Sequence, residues 1–301
     1  MPSIDSTTLR GKVNFSLPRA EVDNPDQYLV FDVNNLIPSK ISTIPVWDLR
    51  EEMRNGGLST ASAEEQLDRR GFAVVEHKSD ASLEKLSTVD GTNAYLEESK
   101  ELLRKLLGAS KVVAWNSVVR ANTPESQESV KETQQKKVEK DFAPTDSVKA
   151  VAGSAHVDQD ETYARTIIKR ACGDDVFGRY SRLQIINLWR PLVDVVTNKP
   201  LLMGDFSSFA PEDIWEMGGS FGGALTVSHS AGQRWSYIQH QTPQEGILLR
   251  CYDSLMGKDG KALYCGHVAG DILDEPTPAG MEGKPQVPRT SVEVRLFVLH
   301  E

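Results

Sequence analysis

Apolar residues along this chain mostly run in short blocks or alternate, and adopt helical spacing in few places. Tyr28–Val33 and Ile44–Trp47 read as strands, the second containing Pro45, and residues 71–77 form an apolar run opening on Gly71. Between 93 and 108 the period changes. Leu96, Leu102, Leu103, Leu106 and Leu107 fall on one face, Glu, Lys and Arg on the other, and Gly108 supplies a stop, which predicts an amphipathic helix. Lys111–Val119 reads as a buried strand. After residue 150 strands are predicted at Leu183–Trp189, Leu201–Met203, Ala224–Val227, Trp235–Gln239, Gly246–Tyr252, Ala262–His267 and Val292–Leu299, with one short helix over Glu161–Ala171. Many short strands and a few helices gathered toward the N-terminus predict a mainly β fold, a sandwich or barrel with flanking helices packed outside it.

Two stretches break the pattern. Residues 121–150 are polar, charged and poor in large apolar groups. They read either as a solvated insertion or as a lid beside an active site, because the strongest motif follows directly. The glycine cluster from Gly218 to Gly223 lacks the Lys-Ser/Thr of a phosphate loop and reads as a turn. No internal repeat appears, and a single domain over 1–301 is expected.

Composition narrows the function classes. The net charge of -9 argues against nucleic acid or an anionic membrane as partner, since both need a basic surface. Three cysteines make neither a disulfide framework nor a zinc ribbon. No apolar run approaches the ~18 residues of a membrane span, and no signal peptide is recognisable at the start. A reduced cytoplasmic protein is expected, with a symmetric homodimer as the default assembly.

Six histidines are present, and His156-Val157-Asp158 is the most suggestive setting for one. On a strand, His156 and Asp158 share a face while Val157 packs behind. An imidazole and a carboxylate so placed are two thirds of a facial triad, whose open positions suit non-haem Fe(II) with a co-substrate and dioxygen. The third ligand must come from later in the chain, and His229, His240 and His267 are the candidates. Further on, Arg289 and Ser291 share a strand face and form a fork for a carboxylate. Arg295 has the same facing and competes for that role; Arg289 is favoured because Ser291 accompanies it. The order H-x-D, distant His, R-x-S is what a double-stranded β-helix (jelly roll, cupin-like) dioxygenase using 2-oxoglutarate needs.

The chain resembles the fungal hydroxylase/desaturase family related to gibberellin desaturase-like and cephalosporin methoxylase-like proteins of secondary metabolism. The resemblance runs from Trp47-Asp48-Leu49-Arg50 to the C-terminus. It is carried by Gly71-Phe72, Tyr95 to Glu98, Ala155 to Gln159, Asn187 to Pro191, Gln241 to Glu245, Tyr252-Asp253-Ser254, His267 and Pro288 to Arg295. It implies a double-stranded β-helix, Fe(II), 2-oxoglutarate and dioxygen, and favours His267 as the distal ligand. It further implies hydroxylation, desaturation or oxidative cyclisation of a small natural product. Gln233 stands where family members often carry His, and 121–150 matches poorly.

The remaining candidates carry two readings each. Asn187 and Trp189 share a face of a strand that would line the cavity, with Asn187 a candidate for the co-substrate site and Arg190 facing the other way. Gln159 and Arg190 are candidates for substrate contact. Trp235 and Tyr237 are either core or a pocket wall. The competing functions are a non-oxidative metal-dependent isomerase or hydrolase on the same ligands, and an inert small-molecule-binding β-barrel.

Overall fold

A computed structural model describes all residues except 1–7, 33, 57–60, 125, 127–142, 145–147, 220–221 and 256–259. The expected insertion or lid at 121–150 therefore falls largely outside the described residues. The first strands are β1 (Thr8–Ser16), β2 (Ser39–Asp48), β3 (Phe72–Glu76), β4 (Lys111–Ala121), β5 (Ala143–Pro144), β6 (Lys149–Ala150), β7 (His156–Val157) and β8 (Arg182–Pro191). There follow β9 (Leu201–Gly204), β10 (Ile214–Gly219), β11 (Gly222–Val227), β12 (Trp235–Tyr237), β13 (Glu245–Asp253), β14 (His267–Ala269), β15 (Asp271–Leu273) and β16 (Thr290–His300). The helices are α1 (Arg50–Arg54), α2 (Ala63–Arg70), α3 (Leu83–Leu86), α4 (Val89–Leu106), α5 (Glu161–Cys172) and α6 (Val176–Arg179).

Two sheets form. One runs β10-β11-β7-β14-β9-β12-β2-β1-β15, the other β3-β13-β8-β16-β4-β5, with β6 also on β4. Alternation along β16 decides what the second sheet does. Val292, Val294, Leu296 and Val298 pack with Leu96, Leu103 and Leu107 of the α4 region, while Ser291, Glu293 and Arg295 take the opposite face. Each fully buried leucine there contributes about 1.5–3 kcal/mol relative to exposure, so the helical layer fixes which face of β16 is inner. Between the sheets Trp189, Ile247 and Leu249 meet Leu201, Met203 and Cys265. Helix α5, capped by Asp160 through Tyr163 N at 2.7 Å, closes one end over Ile185, Phe297 and Leu299.

Most expected elements form, many with longer bounds and two, Phe72–Glu76 and Trp235–Tyr237, with shorter ones. Tyr28–Val33 does not. Asn24 in the left-handed region and Pro25 at the first helical position wind Pro25–Leu29 into a 3-10 turn instead. Ala262–His267 is also not a strand; pairing begins only at His267. Within the glycine cluster residues 220–221 lie outside the described residues, but on either side of them Gly218 pairs with Gly223 and Gly219 with Gly222, and Gly218 and Gly222 leave no room for a Cβ because residues 29–31 and the Tyr163 ring lie against them. No described helix is long and apolar enough to cross a membrane.

Helix α2 is tied to the second sheet by charge. Asp68 accepts from Arg250 Nη2 at 2.6 Å and Arg182 Nη2 at 2.9 Å, and pairs with Lys261. Burial would raise its pKa, but these partners outweigh burial and pull it down to about 2. Because the folded value lies below the unfolded one, the stabilisation is complete above the unfolded pKa and disappears as pH falls through about 2. Asp68→Asn is expected to cost about 2 kcal/mol at pH 7, reduced from the cost of breaking a buried pair because Asp253 still serves both arginines. Urea unfolding at pH 7 and pH 3 measures this; an equal deficit at both values would contradict it.

Candidate active site

Strand β7 is only two residues long, yet it places the site. It lies between β11 and β14, and the β14 pairing sets His267 directly opposite His156. Their rings stand 4.5 Å apart between centroids. Asp158 follows the end of β7 and turns back, so that Oδ1 is 3.5 Å from His156 Nε2 and Oδ2 is 3.9 Å from His267 Nε2. One ligand atom from each of the three lies within 4.8 Å of the others. His229 instead packs its ring on Phe15, and His240 Nε2 meets the Pro276 carbonyl.

Both imidazoles are oriented from behind. His156 Nδ1 donates to Ser154 O at 2.8 Å and His267 Nδ1 to Cys265 O at 3.1 Å, which leaves each Nε2 lone pair facing Asp158. Burial, reinforced by His156, pushes His267 down to about 4, so it is neutral at physiological pH. Asp158 is buried, which alone would raise its pKa. Arg295 Nη2 at 3.3 Å and the two histidines overcome that and hold the carboxyl well below the ordinary range. Asn187 Nδ2 donates to Oδ2 at 2.6 Å. Asn187 is thus joined to Asp158, and Arg295 lies between Asp158 and Glu293 at 3.2 Å. Of the two arginines expected to compete, Arg295 is thus already paired with two acids.

Two cavities meet at His156 and Asp158, and the smaller of them also reaches His267. The smaller holds about 20 Å³ and is lined by Trp189, Leu201, Arg289, Glu293 and Arg120, besides the triad. Arg289 is buried, donates through Nη1 to Lys199 O at 2.7 Å and leaves Nε without a partner. Burial and then the Arg120 guanidinium push its pKa down to about 9, still a cation at neutral pH. Ser291, buried on the same face of β16, is the cross-strand partner of Arg120. The larger cavity, about 460 Å³, has Trp115, Tyr163, Met217, Ile37 and the paired glycines as walls, with His156, Asp158 and Gln159 at its floor. Its rim carries Val30 and Leu36, 77% and 68% exposed, which makes the mouth apolar.

Three expected substrate contacts are not in either cavity. Arg190 lies on the outer face of β8, where it bonds Tyr95 Oη, the carbonyls of His77 and Pro243, and the His77 ring. Trp235 and Tyr237 share a face as expected, but it is the one packed against Val13, Phe15 and Val46. Alternation assigns residues to a common face without saying which face is inner. Conversely, sequence reading missed Arg120, Trp115 and Tyr163. A bulge in β4 opposite Arg295/Leu296 turns both Trp115 and Asn116 away from the helical layer, which period-two reading does not anticipate.

A family model described as "Oxidoreductase/YMDC permease-like domain" matches residues 29–299. The chain belongs to this family. Its curated relatives include fungal hydroxylase/desaturases and Fe(II)/2-oxoglutarate-dependent dioxygenases, in keeping with the resemblance read from the sequence. "Hydroxylase/desaturase efuI" of Hormonema carpetanum is 28% identical over 81% of this chain and 82% of its own length. "Fe(II)/2-oxoglutarate-dependent dioxygenase nvfI" of Aspergillus novofumigatus is 24% identical over 77% of each. The solved structure of the iron and alpha-ketoglutarate-dependent endoperoxidase NvfI superposes with a TM-score of 0.71 at 20% identity, over 98% of this chain and 99% of that one. The fold is therefore the double-stranded β-helix, with the helices outside it.

Proposed function

We propose that this protein is a non-haem Fe(II)/2-oxoglutarate-dependent oxygenase that hydroxylates, desaturates or oxidatively cyclises a small natural product at an unactivated carbon. The observation carrying this reading is the convergence of His156, Asp158 and His267 where a small arginine-bearing cavity meets a large apolar one. Two imidazole nitrogens with committed tautomers and one carboxylate fit Fe(II), with positions to spare for a keto acid and dioxygen. His156 and His267 would hold the ion through Nε2 and Asp158 through its carboxylate. Arg289 and Ser291 would hold the distal carboxylate of 2-oxoglutarate, which would give the orphaned Arg289 Nε an acceptor. Bound iron and 2-oxoglutarate supply activation of dioxygen, with loss of carbon dioxide and formation of succinate.

The chain's own contribution is positioning and exclusion of water. Asn187 and Arg295 fix the Asp158 carboxylate from one side so that its remaining lone pairs stay directed at the histidines. Trp189, Leu201 and Val268 wall the co-substrate space, which keeps it dry and strengthens the Arg289 interaction. Trp115, Tyr163 and Met217 offer a substrate apolar surface, while Gln159 brings a buried and unpaired Oε1 to the same cavity, an acceptor for a hydroxyl or N–H. The matched span of 29–299 supports one oxygenase domain.

Anaerobic addition of Fe(II) and then 2-oxoglutarate to metal-free protein tests the reading. A weak visible charge-transfer band that needs both components is the expected result. Tight zinc binding with no such band would overturn it in favour of a non-oxidative metal enzyme.

A further inference from the structure

A second guanidinium stands beside Arg289 and Ser291. Arg120 on β4 pairs directly with Ser291 across the β16 ladder, and directly opposed residues of an antiparallel pair share a face. Arg289 lies two residues before Ser291, immediately ahead of β16, so period-two alternation puts all three on one side of the sheet. Arg120 and Arg289 line one small cavity that also touches His156, Asp158 and His267. Among the described residues neither guanidinium has a carboxylate within ion-pairing distance. Arg120 Nη1 donates to Ala150 O at 2.8 Å and Arg289 Nη1 to Lys199 O at 2.7 Å, both backbone oxygens. The two acids of that cavity, Asp158 and Glu293, lie 3.3 and 3.2 Å from Arg295. Two like charges face one enclosed space with donors to spare, and an anion between them removes the repulsion and the unmade hydrogen bonds together.

Resting on the oxygenase reading, we propose that Arg120 is a second arm of the co-substrate site, sharing the distal carboxylate of 2-oxoglutarate with Arg289 and Ser291. A carboxylate has two oxygens and four lone-pair sites, enough for two guanidinium forks and a hydroxyl. Arg120 also lines the large cavity, so its guanidinium forms part of the partition between co-substrate and substrate. A lysine there would deliver charge without the planar fork.

The test compares two keto acids on the full chain. Fe(II)-loaded protein is titrated anaerobically with 2-oxoglutarate and with 2-oxopentanoate, which keeps the chelating end and chain length but ends in a methyl group. The charge-transfer band reports binding of each. Arg120→Gln is expected to weaken 2-oxoglutarate about tenfold or more, the loss of one charge-assisted bond, while leaving 2-oxopentanoate within about twofold. Arg120→Lys is expected to lose discrimination by about threefold, and carries the test if the Gln variant does not fold. Discrimination unchanged in both variants, whether both acids weaken equally or neither does, would overturn the assignment of Arg120 alone. A wild-type protein showing no band with either acid would overturn the oxygenase reading itself, and this inference with it.

Discussion

Replacing Asp158 by asparagine is expected to remove stoichiometric Fe(II) and to cut turnover by about a thousandfold or more, since losing a ligand exceeds the 10–100-fold typical of losing an outer partner. The expectation follows from what surrounds the carboxylate. Both histidines direct Nε2 at it, and Arg295 and Asn187 brace it from the other side. The amide keeps the size of the side chain and an oxygen, but loses the anionic charge that anchors a divalent ion. Alanine is the poorer variant. Either change leaves the buried Arg295 with Glu293 as its remaining acid, and breaking a buried pair costs about 3 kcal/mol or more, but alanine also removes the acceptor oxygens that Asn187 and Arg295 contact and leaves a void. Both variants are therefore expected to melt below wild type, Asp158→Ala the lower. Iron per chain after anaerobic loading and desalting, with a thermal melt on the same samples, separates loss of metal from loss of fold. An Asp158→Asn protein that retains a full complement of iron and normal turnover would sink the site.

The parts of this site that could be read from sequence are those set by local spacing. His156 and Asp158 are two residues apart, and Arg289 and Ser291 likewise, so the period of a strand joins each pair without knowledge of the fold. His267 is different. Its adjacency to His156 depends on β14 pairing with β7, and spacing alone left His229 and His240 as equals; the family resemblance selected among them. Arg120 was invisible for the same reason, since its place depends on the β4–β16 register. Trp235 and Tyr237 show the limit from the other side: the alternation was right, but it does not tell inner from outer. The apolar run at Tyr28–Val33 misleads because its apolar side chains do not mark strand core. Val30 and Phe31 instead line the cavity mouth beside a proline-started turn. The β core itself was legible because many short runs between turn residues have few other ways to bury their surface.

Arg289→Gln is expected to raise the Michaelis constant for 2-oxoglutarate about a hundredfold or more, with a smaller loss in turnover at saturation, because a charge-assisted bidentate contact to a buried carboxylate is removed from ground and transition state alike. Three features make Arg289 the group to change. It is buried, its Nε has no partner, and burial has already driven its pKa down to about 9 without reaching neutrality. Holding such a cation away from water is unfavourable, and an anion repays it only by coming into direct contact. Arg295, six residues further on in β16, provides the contrast. Its charge is satisfied within the protein by Asp158 and Glu293, so its loss should disturb the triad rather than the keto acid's far end. Arg289→Lys is expected to lie between wild type and Gln, retaining the charge and losing the fork. Steady-state oxygen uptake against 2-oxoglutarate concentration, in the presence of an accepted substrate, reads both constants. Should Arg289→Gln lower turnover while leaving the Michaelis constant unchanged, the residue acts on the chemistry rather than on the carboxylate, and the orientation of 2-oxoglutarate argued from the two cavities would have to be reversed.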